Sequence, residues 1–358
     1  MAQKPGAADS QRNRREFLGA GLVTTATALG VAARQSGAEA APPGAKPDVP
    51  FNPRTHAAMP TRNLGKTGHR VGIFSLGGQA AVEQEGKEEI AEAIVNRAID
   101  LGVNYVDTAP AYGRGISETN VGRVMKSRRS EVFLASKTNV RTYSESMALL
   151  DQSLKRLNTD HLDLWQLHNV QRKDELETIF GKDGAIHALQ KAREQKMVRF
   201  LGITGHFEPL VLVEGLERFP FDTILMALNA ADVHYLSFVR HLLPLAQKRG
   251  IGIIGMKVTT RSRILSTWEP PPLDQQPDAR LRTSKRGTLT MREALLYNLS
   301  LPVSTTIVGC DNPEQVEQNV KCASEWTALS DEQMRELEYK TLPIVRQALY
   351  FRRWELGA

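Results

Sequence analysis

Two cysteines, four tryptophans and an aromatic fraction of 6% leave few of the residues that staple or stack a small fold. Cys310 and Cys322 flank a segment, 312–323, that reads as a helix. Such a helix would hold their Cα atoms about 18 Å apart, beyond the ~7 Å reach of a disulfide. With no paired Cys/His spacing either, a structural zinc site is excluded and no metal is expected. No apolar run approaches the ~20 residues of a spanning helix, so an integral membrane protein is not expected. No G-x-G-x-x-G follows an early strand, so a Rossmann dinucleotide fold fails as well.

What is present is length and apolar mass: 358 residues, 41% hydrophobic and 24% charged. That is ample for a core, and allows two domains or one large α/β barrel. The net charge is +6, but residues 1–40 carry five basic against three acidic side chains. The remaining excess is spread over a large body, too dilute to suggest a nucleic acid partner.

The first forty residues read as an address and not as part of the fold. Asn13-Arg14-Arg15-Glu16-Phe17-Leu18 is a basic pair followed by a mild apolar stretch, 19–33, and then Ala38-Glu39-Ala40. That order resembles a bacterial twin-arginine (Tat) signal, and it implies the Tat translocation machinery as a partner and a periplasmic destination. The alternative is a basic arm on a cytoplasmic protein. Residues 41–60 are Pro-rich and aperiodic, and read as a linker.

From residue 61 to about 325, short β-branched or apolar runs alternate strictly with longer stretches of helical period. Strands are expected over 71–76, 104–107, 132–137, 162–168, 200–204, 223–227, 251–257 and 305–308. Helices are expected over 87–101, 117–126, 143–157, 184–196, 208–218, 236–248, 291–299 and 312–323. Eight βα units fit a (β/α)8 barrel better than an open doubly wound sheet. Gly102 and Gly250 stand where C′ glycines belong, and Asp311-Asn312-Pro313 supplies a helix start. Residues 326–358 add a terminal helix, 331–339, and a short tail. The stretch 259–290 breaks the rhythm after the seventh strand, with three consecutive prolines and a basic cluster, Arg280, Arg282, Lys285 and Arg286. A loop this long at the C-terminal end of a barrel strand is placed to cover a ligand.

Catalytic groups of such barrels gather at the C-terminal strand ends. Asp107, Lys137 and His168 end the second, third and fourth strands, and Tyr112 follows the second. Singly, each has an ordinary structural explanation; together, at three successive strand ends, they mark a site.

Asn104-Tyr105-Val106-Asp107-Thr108-Ala109-Pro110-Ala111-Tyr112-Gly113 with Ser117-Glu118, Ala135-Ser136-Lys137-Thr138 and Asp163-Leu164-Trp165-Gln166-Leu167-His168 together resemble the aldo-keto reductase signature. The resemblance runs from about residue 62 to residue 323. It implies a TIM barrel, NADP(H) or NAD(H) as cofactor, and a small-molecule carbonyl or alcohol substrate (an aldehyde, ketone or sugar). The resemblance thus implies carbonyl reduction, which needs a hydride on carbon and a proton on oxygen. A tyrosine is a poor acid near neutrality, and a neighbouring ammonium lowers its pKa. Lys137 would supply that charge, with Asp107 holding it, His168 orienting the carbonyl and Tyr112 delivering the proton. The resemblance also implies nicotinamide contacts at Thr204 and Asn229. The family commonly has Ser-Asn at the fifth strand end; here Thr204 keeps the hydroxyl, while Gly205 offers no amide. The adenine end of the cofactor falls to Gly309, Cys310, Asp311, Gln315, Gln318 and Asn319. The cations that often grip a 2′-phosphate near Gly309 and Gln315 are missing, so NAD use is open. Lys257 or the 280–286 cluster would be a substitute grip. Trp165 and Trp268 are candidate pocket walls, although both positions also suit packing. The alternative function is a cofactor-holding sensor or partner-binding module with little turnover. An unrelated barrel chemistry would need a carboxylate pair or metal site that the sequence does not offer.

Overall fold

The computed structural model describes residues 49–276 and 282–354. The Tat-type segment and Arg280 lie outside the described residues. Eight parallel strands close into a barrel: β3 (Phe74–Gly77), β4 (Tyr105–Asp107), β5 (Phe133–Thr138), β6 (Leu162–Leu167), β7 (Val198–Gly205), β8 (Thr223–Ala227), β9 (Gly252–Met256) and β10 (Thr305–Val308). Closure is made by β10, which pairs Thr306 with Phe74 on one side and with Gly255 on the other. Strands such as Phe133–Thr138 and Leu162–Leu167 are buried along their whole length, as expected of a parallel sheet covered on one side by helices and filled on the other by side chains. The chain is therefore a (β/α)8 TIM barrel.

The expected first strand, 71–76, divides. Its first part, β2 (Arg70–Gly72), pairs antiparallel with β1 (Thr61–Asn63), and only Phe74–Gly77 enters the barrel. The hairpin between β1 and β2 packs on the barrel, with Leu64 fully buried and Gly65 against the backbone of Gly252. A continuous apolar run thus serves two partners, which hydrophobicity alone does not distinguish. Part of the segment read as a linker is also folded. A short helix, α1 (Thr55–Ala58), precedes β1, and Asn52 donates from Nδ2 to the carbonyls of Ile99 (2.8 Å) and Val103 (3.2 Å).

The barrel helices are α2 (Glu88–Asp100), α3 (Ile116–Arg128), α4 (Tyr143–Arg156), α5 (Lys173–Phe180), α6 (Ala185–Glu194), α7 (Pro209–Arg218), α8 (Phe238–His241), α9 (Leu243–Arg249), α10 (Met291–Ser300) and α11 (Pro313–Ser324). The helix expected over 236–248 breaks at Leu242. Pro244 has no N–H to donate and its ring crowds the preceding turn, so the chain restarts as α9. The helix α5 was not expected from the sequence; its 8 residues make about two turns of mostly polar surface resting on Leu176 and Ile179. Gly102 and Gly250 both take positive φ, +87° and +65°, in keeping with their C′ positions. The termini of α10 and α11 are capped by Thr290 and Asn312. A helix α12 (Asp331–Thr341) and a short α13 (Val345–Ala348) follow, and the chain returns over the barrel mouth. Cys310 and Cys322 are both buried and unpaired with each other, as their spacing required.

Candidate active site

Because β4, β5 and β6 are adjacent and in register, their C-terminal residues meet. Asp107 pairs with Ala135, and Lys137 with Gln166. Lys137 Nζ donates to Asp107 Oδ1 and, at 2.8 Å, to the carbonyl of Thr108. Both charged side chains are fully buried. The second oxygen of Asp107 accepts from Tyr105 Oη (3.3 Å) and Gln166 Nε2 (3.2 Å). Tyr112 stands above this pair, its ring centroid 4.8 Å from Lys137 Nζ and 5.7 Å from the His168 ring, edge to face at 82°.

Burial is the largest influence on each of these groups. It raises the Tyr112 phenol above its ordinary value; Lys137 opposes it but does not reverse it. Lys137 does act to lower Tyr112, as the sequence led us to expect, but burial outweighs it and the net shift is upward. For Lys137, burial pulls downward, but Asp107 and Tyr112 together outweigh it and hold the ammonium above its usual range. His168 is pushed well below the ordinary histidine value by burial and by Lys137, so its ring is neutral near pH 7. The arrangement presents a protonated phenol and a neutral imidazole beside a fixed ammonium, which suits proton delivery to an oxygen in a reducing step.

Two adjoining cavities open at this point. The larger, of about 450 Å3, runs past Tyr112, Lys257 and Arg261 to Gly309, Asp311, Gln315, Gln318 and Asn319. The smaller, of about 330 Å3, is lined by Tyr112, Lys137, His168, Thr204 and Lys257 among others. Most of the expected cofactor positions are thus gathered along one cleft. Asn319 donates to Cys310 Sγ (3.5 Å), and Cys310 does not line the cleft; the thiol, raised to about 12 by burial, orients the amide instead. Gln315 Oε1 accepts from the Asp311 N–H (2.8 Å), while its own N–H donates to the Asn312 cap (2.9 Å).

Two expectations are corrected, at Asn229 and in the long loop, while Gly205 is as bare as the sequence implied. Asn229 lines neither cavity: its amide donates to the Lys257 carbonyl (3.2 Å) and accepts from Ala231 (2.9 Å). Gly205 is enclosed, and a Cβ there would come within 2.7 Å of the Val170 carbonyl, so no side chain fits that position. Of the basic cluster in the long loop, Arg282, Lys285 and Arg286 turn elsewhere. Lys285 donates to Pro343 O (2.9 Å), Arg286 pairs with Glu269 (2.5 Å), and Arg282 donates to Gln276 O (3.3 Å). Arg261 takes their place in the cleft, bridging to Glu83 at 3.4 Å. It sits in a turn where Lys257, Thr260, Arg261 and Ser262 all have positive φ, a concentration of strain found at binding loops. Trp165 is fully buried packing, and Trp268 stacks under Arg263 with the cation 5.8 Å from the ring.

The sequence reading missed Asn169, Arg261 and the tail residues Tyr350 and Phe351, all of which line the smaller cavity. Asn169 directly follows His168 and adopts φ +52°, the kind of position where a strand-end amide is useful. The run Tyr350-Phe351-Arg352-Arg353-Trp354 is too aromatic for a solvated tail, a signal that was available. Among the described residues, no group of three or more His, Cys, Asp or Glu could hold a metal, and no helix is long and apolar enough to cross a membrane.

The mouth of a closed TIM barrel thus carries a buried Asp–Lys pair under a tyrosine and a histidine. The model of the aldo/keto reductase family matches residues 70–341, and the chain belongs to that family. The family's curated members similar to this chain include reductases and dehydrogenases. L-galactose dehydrogenase of Arabidopsis thaliana is 30% identical over 297 residues, covering 76% of this chain and 90% of the relative. The holo form of an aldo-keto reductase from Bacillus halodurans superimposes with a TM-score of 0.63 at 26% identity, covering 79% of this chain and 96% of that one. A Klebsiella pneumoniae aldo-keto reductase in complex with NADPH shares the fold, with a TM-score of 0.59 at 20% identity over 78% of this chain and 94% of that one.

Proposed function

We propose that this chain moves a hydride between a nicotinamide dinucleotide and a small carbonyl or alcohol, with Tyr112 as general acid in reduction and general base in oxidation. The observation that carries the reading is the position of Tyr112, against Lys137 and His168 at the junction of the two cavities. The residues present fit such a cofactor. The long cleft ends at the start of α11, where backbone N–H groups suit phosphate oxygens, and Lys257 and Arg261 add positive charge along it. Thr204 lines the smaller cavity. Asn169 lines the same wall and brings a side-chain amide to it. When bound, the dinucleotide supplies the hydride.

The chain's own residues do the rest. His168, neutral, hydrogen-bonds the substrate oxygen and orients it. Tyr112 gives that oxygen its proton, and the Lys137 ammonium stabilises the tyrosinate that remains. Asp107 holds the ammonium in place. Lys257 and Arg261 come from the loop after β9, and Arg261 is already paired with Glu83. With no cation supplied by α11 near Gln315, discrimination for NADP over NAD is expected to be weak. The dissociation constants of NADH and NADPH are then expected to agree within about tenfold; a much larger NADPH preference contradicts this part of the reading.

The N-terminal forty residues are proposed to direct export through the Tat machinery to the periplasm. Replacing Arg14 and Arg15 by lysine is expected to retain the protein in the cytoplasm on fractionation. Unchanged periplasmic accumulation, or a cytoplasmic wild type, overturns it. Turnover itself is tested on the full chain with NADPH or NADH and a panel of aldehydes, ketones and sugars. Cofactor binding without oxidation by any of them would favour a sensor or partner-binding role.

A further inference from the structure

The smaller cavity holds a group that the proton and hydride chemistry leaves unused. His206, one residue beyond β7, lines the chamber together with Tyr112 and His168. Its ring lies 5.4 Å from that of Phe351, at 49°. Its Nδ1 is buried and meets no partner among the described residues, and the same holds for Nδ1 of His168 and Oδ1 of Asn169 on the same walls. These atoms are closed off within the wall, so what the His206 ring offers the chamber is its Nε2 edge, to which no hydrogen bond is made among the described residues.

The position of His206 is fixed from the C-terminal tail. Arg352 Nη1 donates to the His206 carbonyl at 2.9 Å, and its guanidinium pairs with Asp232, both side chains fully buried. Asp232 also accepts from Ser237 Oγ (2.7 Å) and from the N–H groups of Phe238 (3.1 Å) and Val239 (2.9 Å). Arg352 lies 4.0 Å over the Phe238 ring. The tail is thus clipped to the barrel directly beside the residue that Phe351 packs against. Burial, with Lys257 and Arg352 adding to it, pushes His206 well below the ordinary histidine value, so the ring is neutral. A neutral imidazole both donates and accepts, which matches a hydroxyl and not an anion. Lys257 and Arg261, which line both cavities, are assigned above to the cofactor phosphates.

We propose that His206 is a specificity-determining residue: its ring hydrogen-bonds a hydroxyl next to the reacting carbonyl. Hydroxylated aldehydes and their cyclic hemiacetals are then preferred over plain alkyl aldehydes. Arg352 acts through His206 as a positioning residue. The inference rests on the oxidoreductase reading, and its test is read as binding as well as turnover so that the two can fail separately.

The full chain loaded with NADPH is assayed with glyceraldehyde and with propanal, which differ only in hydroxyls. Binding of threitol, which cannot be reduced, is followed by the fluorescence of the bound NADPH. The wild type is expected to favour glyceraldehyde and to bind threitol. His206→Phe is expected to lose about 10- to 100-fold in kcat/KM for glyceraldehyde, mainly through KM, while propanal changes by less than about twofold. His206→Gln keeps a donor and an acceptor, and is expected to recover part of the loss; it also serves if His206→Phe does not fold. Equal losses for both aldehydes, no wild-type preference, or a preference for a carboxylated aldehyde overturns the proposal. Failure of the wild type to bind threitol overturns it whatever the turnover. Threitol binding that depends on His206 with no aldehyde reduced would leave this inference standing and remove the oxidoreductase reading.

Discussion

Asp107 and Lys137 are enclosed completely, and a buried ion pair is held only where the remaining hydrogen-bonding capacity of each partner is filled. Tyr105 and Gln166 do this for Asp107, and the Thr108 carbonyl does it for Lys137. Asp107→Asn leaves the ammonium without its counter-charge. The expected cost is about 3–5 kcal/mol in stability by urea unfolding, and Lys137→Met in the same chain should recover part of it. The four groups that meet at the barrel mouth were legible in the sequence because strand ends are fixed by counting. The direction of the Tyr112 shift was not, because it depends on how much water the closed barrel excludes. The packing partner of His206 is 145 residues away in the chain, at Phe351, a contact that no local pattern reveals.

At the scale of elements, β-branched runs located all eight barrel strands, since strands buried on both faces have to be apolar. They did not divide the first run between β2 and β3, because both halves are apolar and only their partners differ. The long loop after β9 was correctly placed at the mouth, and of the two grips weighed for it Lys257 lines the cleft, whereas Arg282, Lys285 and Arg286 do not. Those side chains reach the loop itself and the tail, while Arg261, at the start of the loop, enters the cleft. The loop ends in a capping box in which Thr290 accepts from Glu293 N–H (3.2 Å) and Glu293 accepts from Thr290 N–H (2.7 Å). Thr290→Ala is expected to lower stability by about 1 kcal/mol in thermal or urea unfolding without altering cofactor affinity. A larger effect on affinity than on stability would mean that α10 is coupled to the cleft.

For the whole molecule, the net basic charge matters less than where single cations stand. Lys257 is lowered to about 8, chiefly by burial and then by Arg261 and Lys137. Its charge in the free protein is therefore present at pH 7 and lost as pH rises through about 8. A bound anion favours the charged form, so dinucleotide binding takes up a proton in that range, and the dissociation constant is expected to rise with pH above it. Lys257→Met should flatten the dependence; a constant affinity across this range in the wild type would remove Lys257 from the phosphate grip.

The architecture was the most legible feature, because eight alternations in one chain leave few ways to fold. The assignment of chemistry to that barrel turns on one hydroxyl. With NADPH prebound to the full chain, a single mixing with glyceraldehyde in a stopped-flow instrument follows one turnover of the bound cofactor. The wild type should oxidise it in one phase. Tyr112→Phe should slow that phase by about 10²- to 10⁴-fold while leaving NADPH affinity unchanged. Equal rates in the two proteins, or bound NADPH that no carbonyl compound oxidises, would contradict the role given to Tyr112.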